Sequence, residues 1–221
     1  MSRPGAELPP GGDQFERWAE LRSAAMALAG HGWPVLRGTY PAADGGGVNR
    51  WQGRPDAVGL RPIADDWAEA CTVRASDVAQ WWSQAPYGVI VACGRGVDCI
   101  EIPGRVAQGL LHELSEAGVC PPAMLTPVGS LVLFVGTHPG PRPMLAAASL
   151  RSLDSWVAVP PTATATAAPG AARYRWLPNS APGALGWQLP ELLAVNEVIT
   201  AALRQPPHRR PSGDPSTKPG R

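Results

Sequence analysis

Between residues 15 and 30, Trp18, Leu21, Ala25 and Leu28 recur at three-to-four-residue spacing, which predicts an amphipathic first helix ended by Gly30 and Gly32. A short apolar run at 33–36 reads as a strand. The Gly- and Pro-containing stretch 38–62 reads as a long irregular connection. Ser76 or Asp77 is placed to cap a helix carrying Val78, Trp81 and Trp82, which must stop before Pro86. Two apolar runs, 89–93 and 97–102, are separated by Gly94, Arg95 and Gly96, the pattern of a β-hairpin. Val106, Leu110, Leu111 and Leu114 then mark one face of a helix over 105–117, stopped by Gly118. Strands at 123–126 and 130–135 flank a turn at 127–129, further strands are expected at 156–159 and 173–176, and a helix closes the pattern at 189–203. Helices and strands mix without strict β-α-β alternation, so the expected class is α+β.

Composition places boundaries on this pattern. The chain holds 25 Gly and 26 Pro, and the segments 1–14 and 204–221 are too polar and Pro/Gly-rich to bury enough apolar area to offset their ordering. They are expected to be disordered tails around one domain spanning 15–203. Net charge is +1, but Arg204, Arg209, Arg210, Lys218 and Arg221 against Asp214 make the last segment +4 and leave −3 for the rest. A mildly acidic body is a poor non-specific binder of phosphates, although a local basic groove stays open.

Cys71, Cys93, Cys99 and Cys120 form no C-x-x-C pair, and His31, His112, His138 and His208 have no zinc-ligand spacing. Cys93 and Cys99 read as free thiols packed as small hydrophobes. There is no nucleophile elbow and no P-loop, and GRGVDC at 94–99 does not complete G-x-G-x-x-G. No apolar run reaches transmembrane length and the amino terminus has no signal-like segment, so a soluble cytoplasmic protein without membrane partners is the expectation.

Six segments stand in a telling order: GWPV at 32–35, SDVAQWW at 76–82, GVDCIEIP at 96–103, TPVGSLVLFV at 126–135, WVAVPPT at 156–162 and YRW at 174–176. Over residues 18–203 the chain resembles the bifunctional DNA primase/polymerase amino-terminal (prim-pol) domain of the archaeo-eukaryotic primase superfamily. The resemblance implies an RRM-like mixed sheet with flanking helices, and nucleotidyl transfer with Mg²⁺ or Mn²⁺. It also implies an acidic D-x-D pair and a histidine, because two-metal chemistry needs carboxylates that hold cations about 3.5–4 Å apart in one pocket.

Laid on that pattern, Glu101 stands at the first acidic position, Pro103 at the second and Val132 at the histidine. Asp98 is three residues from Glu101, so a regular strand points the two side chains to opposite faces unless a bulge near Gly96 re-aims one. Ser130 is a candidate phosphate contact from its turn. Arg173 and Arg175 alternate with Tyr174 and Trp176, which puts both guanidinium groups on one strand face as candidate nucleotide-binding groups. Trp81 and Trp82 read as buried helix anchors in preference to base-stacking platforms.

Three functional readings follow. The first is a catalytically degenerate relative that binds a nucleotide or single-stranded DNA, or acts as a scaffold among replication proteins. The second is an active primase/polymerase with Glu101 and Asp98 as catalytic metal ligands and Arg173 or Arg175 on the triphosphate. The third is a protein-interaction module with a vestigial groove.

Overall fold

The computed structural model describes residues 12–42, 51–55, 57–107, 109–141, 143, 145, 148–152, 154–164 and 173–204. Residues 1–11 and 205–221, most of the segments expected as tails, lie outside it. Positions 12–14 and 204 are helical.

Helix α1 (Gly12–Gly30) buries Leu21, Ala25 and Leu28 of the predicted stripe together with Ala29, while Trp18 of that stripe is half-buried. Strand β1 (Val35–Gly38) follows. The supposedly irregular stretch after it carries a minimal pairing, β2 (Tyr40–Pro41) with β3 (Trp51–Gln52). Beyond α2 (Trp67–Ala70), helix α3 (Ala75–Trp81) starts with Arg74 at its cap position and no side-chain cap. Asp77 does not cap, because it lies one turn inside and accepts from Thr72 Oγ1 at 3.0 Å and Arg74 Nε at 2.8 Å. Trp82 is wholly buried and donates its indole N–H to the Tyr87 carbonyl at 2.9 Å, an anchor as expected. Trp81 is half-buried beneath the Arg37 guanidinium, 4.9 Å from the ring centroid.

The expected hairpin at 89–102 does not form. Strand β4 (Gly88–Ala92) and strand β5 (Val97–Ile102) enter different sheets. The Gly94 N–H reaches the Val97 carbonyl at 3.0 Å and also the Asp98 carboxylate at 2.7 Å. Gly94 and Gly96 take φ of 86° and 95°, and the left-handed turn they build parts the strands instead of pairing them. Both strands are almost entirely buried and need cover on both faces, which a two-stranded ribbon cannot supply.

The predicted helix over 105–117 is broken into α4 (Gly104–Ala107) and α5 (Leu110–Glu116) by Gly109, whose φ of 85° is not helical. Strands β6 (Ala123–Leu125) and β7 (Leu131–Gly136) form the expected hairpin. Strand β8 (Ser149–Arg151) has no counterpart in the sequence reading, while β9 (Trp156–Ala158), β10 (Arg175–Trp176) and α6 (Leu192–Arg204) fall within or beside predicted elements.

The strands order as β1-β4-β9 in one sheet and β10-β6-β7-β5-β8 in the other, and every pairing between them is antiparallel. One core joins the sheets. Val35, Val89, Val91, Val157 and Val159 of the first side cluster with Val97, Cys99, Met124, Val132 and Phe134 of the second, together with Trp33 and α1. The far face of the larger sheet, with Ile100, Ile102, Leu133 and Val135, packs on α5 and α6. The result is a single α+β domain.

Candidate active site

Strand β5 sorts its side chains by parity. Val97 and Cys99 join the inter-sheet core, whereas Ile100 and Ile102 join the core under α5 and α6. Glu101 therefore shares the inter-sheet side with Cys99, and Asp98 shares the opposite side with Ile100. No bulge intervenes, since β5 pairs residue for residue with β7 from Val97–Gly136 to Ile102–Leu131.

Asp98 is 1% exposed and fully engaged. Its carboxylate accepts from the Gly94 N–H at 2.7 Å, the Thr137 hydroxyl at 3.3 Å and the Ser152 hydroxyl at 2.9 Å. It ties the turn after β4 to the segments that follow β7 and β8, which is a structural task.

Glu101 faces Val132 across β7 and Ser149 across β8. Val132 is wholly buried. Arg151, two residues beyond Ser149, is the diagonal neighbour on the same face. Its Nε and Nη2 both donate to Glu101 Oε2, at 2.9 and 2.5 Å. Tyr174 stands close to this pair: burial first, and the Glu101 carboxylate second, push its hydroxyl above the ordinary tyrosine range, while Arg151 opposes them. Pro103 lies between β5 and α4, its carbonyl accepting the Val106 N–H at 2.8 Å. A hydrogen bond with Cys93, then burial, pushes the Cys99 thiol up.

The remaining candidates are dispersed. In the β6–β7 turn the Ser130 N–H is taken by Thr126 Oγ1 at 3.0 Å and the Gly129 N–H by the Thr126 carbonyl at 2.9 Å, so these amides are not free to cradle an anion. Arg173 and Arg175 are exposed, and Tyr174 and Trp176 pack inward against the inter-sheet core. Register separates Arg175 from Glu101. Trp176 aligns through Met124 and Val132 to Glu101, whereas Arg175 aligns through Leu125 and Leu131 to Ile102, the other face. Arg173 lies near Arg17 of α1, since burial and the Arg173 charge together push Arg17 down.

Two features escaped the sequence reading. Arg151 sits in a three-residue edge strand whose alternation is too short to register, and it meets Glu101 across 50 positions. A cleft of about 360 Å³ lies outside the smaller sheet, lined by Arg54, Arg61, Pro62, Ala64, Asp65, Trp67 and Trp156. Arg54 is paired with Asp65 there, and among the described residues Arg61 has no carboxylate partner. Its two tryptophans are 89 positions apart in the chain and show no local pattern.

Among the described residues no three His, Cys, Asp or Glu side chains group as a metal-ligand set, and no helix is long and apolar enough to cross a membrane. A comparison with curated proteins finds no match. The chain is similar to a solved polymerase domain from Mycobacterium tuberculosis Ligase D in complex with DNA, at 14% identity over 87% of this chain and 88% of that one, with a TM-score of 0.38. Residues 25–192, from within α1 to the start of α6, match the family described as "Bifunctional DNA primase/polymerase, N-terminal". That match spans both sheets and well over half of the chain, and the chain therefore belongs to the Prim-Pol family.

Proposed function

We propose that this chain is a Prim-Pol domain without primer-synthesis chemistry, one that binds a nucleotide or single-stranded DNA or serves as a scaffold among replication proteins. The observation that carries the first half is the placement of the two carboxylates. Prim-Pol members are typically divalent-metal dependent. Two-metal transfer by Mg²⁺ or Mn²⁺ needs two carboxylates on one pocket. Here Asp98 lies across the sheet from Glu101 with its oxygens taken by three donors, Glu101 is held by Arg151, and Val132 is packed in the core. These residues do not fit a pair of catalytic cations.

The binding half is supported by the cleft. Trp67 and Trp156 offer indole surface to a base, and Arg61, exposed and without a carboxylate partner among the described residues, can meet a phosphate; stacking of one base on an aromatic ring contributes about 1–3 kcal/mol. The exposed Arg173 beside Arg17 is a second place for phosphate.

Primer synthesis and extension assays with Mg²⁺ or Mn²⁺ test the first half, and the expected result is no product. Product formation that Glu101→Ala abolishes would sink it. Titration of labelled single-stranded DNA and of a labelled nucleotide at low salt tests the second. Binding should weaken about fivefold or more in Trp67→Ala and Arg61→Ala. Absence of binding by both the full chain and a chain ending at 204 leaves only the scaffold role, and binding that disappears solely with residues 205–221 assigns it to the basic tail.

A further inference from the structure

We propose that the Arg151 guanidinium is a built-in cation that takes, at Glu101, the place a divalent ion would need, and so closes this face of the sheet to metal. The inference deepens the reading above and rests on its premise that this face is not a metal centre.

The geometry is specific. Nε and Nη2 of Arg151 converge on a single oxygen, Glu101 Oε2, at 2.9 and 2.5 Å. The pairing of β8 with β5 sets Arg151 opposite Cys99 and Ser149 opposite Glu101, so backbone register holds the guanidinium over the carboxylate. Burial pushes Arg151 down, but the hydrogen bond and charge of Glu101 outweigh it and hold the group above its ordinary value. A guanidinium remains charged at any ordinary pH.

Val132 stands directly across from Glu101, Cys99 is a buried thiol, and Tyr174 is kept neutral. Among the described residues no second carboxylate groups with Glu101, so one positive charge already balances the one negative charge present. A metal approaching Glu101 would have to displace a charge-assisted two-donor contact while being repelled by the same guanidinium.

Mn²⁺ provides the probe. In full-length wild-type protein the Arg151 Nε–H resonance should escape paramagnetic broadening as MnCl₂ is raised to millimolar levels. Broadening there at stoichiometric Mn²⁺ would overturn the proposal. A second arm restores a carboxylate by Pro103→Asp, a substitution suited to the fold because the residue precedes α4 and aspartate is a favoured helix cap. Mn²⁺ affinity should rise about tenfold or more when Arg151→Ser is added to Pro103→Asp, and should return to the starting level with Arg151→Lys in its place. Equal affinity with and without Arg151 would refute the idea. Should the double variant fail to fold, Arg151→Ser alone against Glu101→Gln/Arg151→Ser gives the same comparison. Primer extension is scored separately, so product from the wild type would overturn the premise of inactivity while these Mn²⁺ readouts judge the role of Arg151.

Discussion

Two carboxylates three positions apart on one strand have opposite tasks. Asp98 is buried with three donors on it, and truncating it leaves the Ser152 and Thr137 hydroxyls without this acceptor and the Gly94 N–H with only the Val97 carbonyl. Asp98→Ala should therefore cost about 2–4 kcal/mol, read as a shifted urea midpoint. Glu101 lies in a partly wet ion pair, and Glu101→Ala should cost less than about 1 kcal/mol. An equal loss from both would contradict the assignment of Asp98 as the structural acid. Tyr174 carries a pH signature. Burial and Glu101 raise its folded-state pKa, so the folded state holds that proton more tightly than the unfolded chain. The resulting stability is fully present below the unfolded tyrosine value of about 10 and is lost as pH rises through the folded value. Tyr174→Phe should flatten that alkaline loss, measured as thermal midpoints from neutral to strongly alkaline pH.

Periodicity made most elements legible, and their departures have local causes. The helix predicted over 105–117 keeps its apolar side, with Leu110 and Leu114 buried, yet Gly109 divides it. The cap expected from Ser76 or Asp77 fails because the helix begins before them. The β6–β7 turn is pressed against the start of α4: a Cβ on Gly104 would run into the Gly129 carbonyl oxygen. Gly104→Ala should consequently cost about 1–3 kcal/mol, whereas Ala at the open, exposed Gly30 should change stability little. Comparable urea midpoints for these two variants would refute the close approach.

The two sheets fold as one body because they share a core. Phe134 of β7 lies 5.0 Å from Trp33 and 5.4 Å from Trp176, ring centroid to centroid. Phe134→Ala should cost about 3–5 kcal/mol and lower a single transition, coincident by far- and near-ultraviolet circular dichroism. Two separated transitions would show the sheets to be independent. Amino-acid order by itself determined the α+β class, most of the helices and strands, and the opposite facing of Asp98 and Glu101, because alternation with period 2 or 3.6 is imposed by neighbours in the chain. Only tertiary structure decided that β4 and β5 part into different sheets, that β8 brings Arg151 onto Glu101, that Arg175 faces away from it, and that Trp67 and Trp156 line one cleft. Those outcomes depend on which surfaces bury one another across tens of residues, and a short strand such as β8 acquires its meaning from the partner it pairs with.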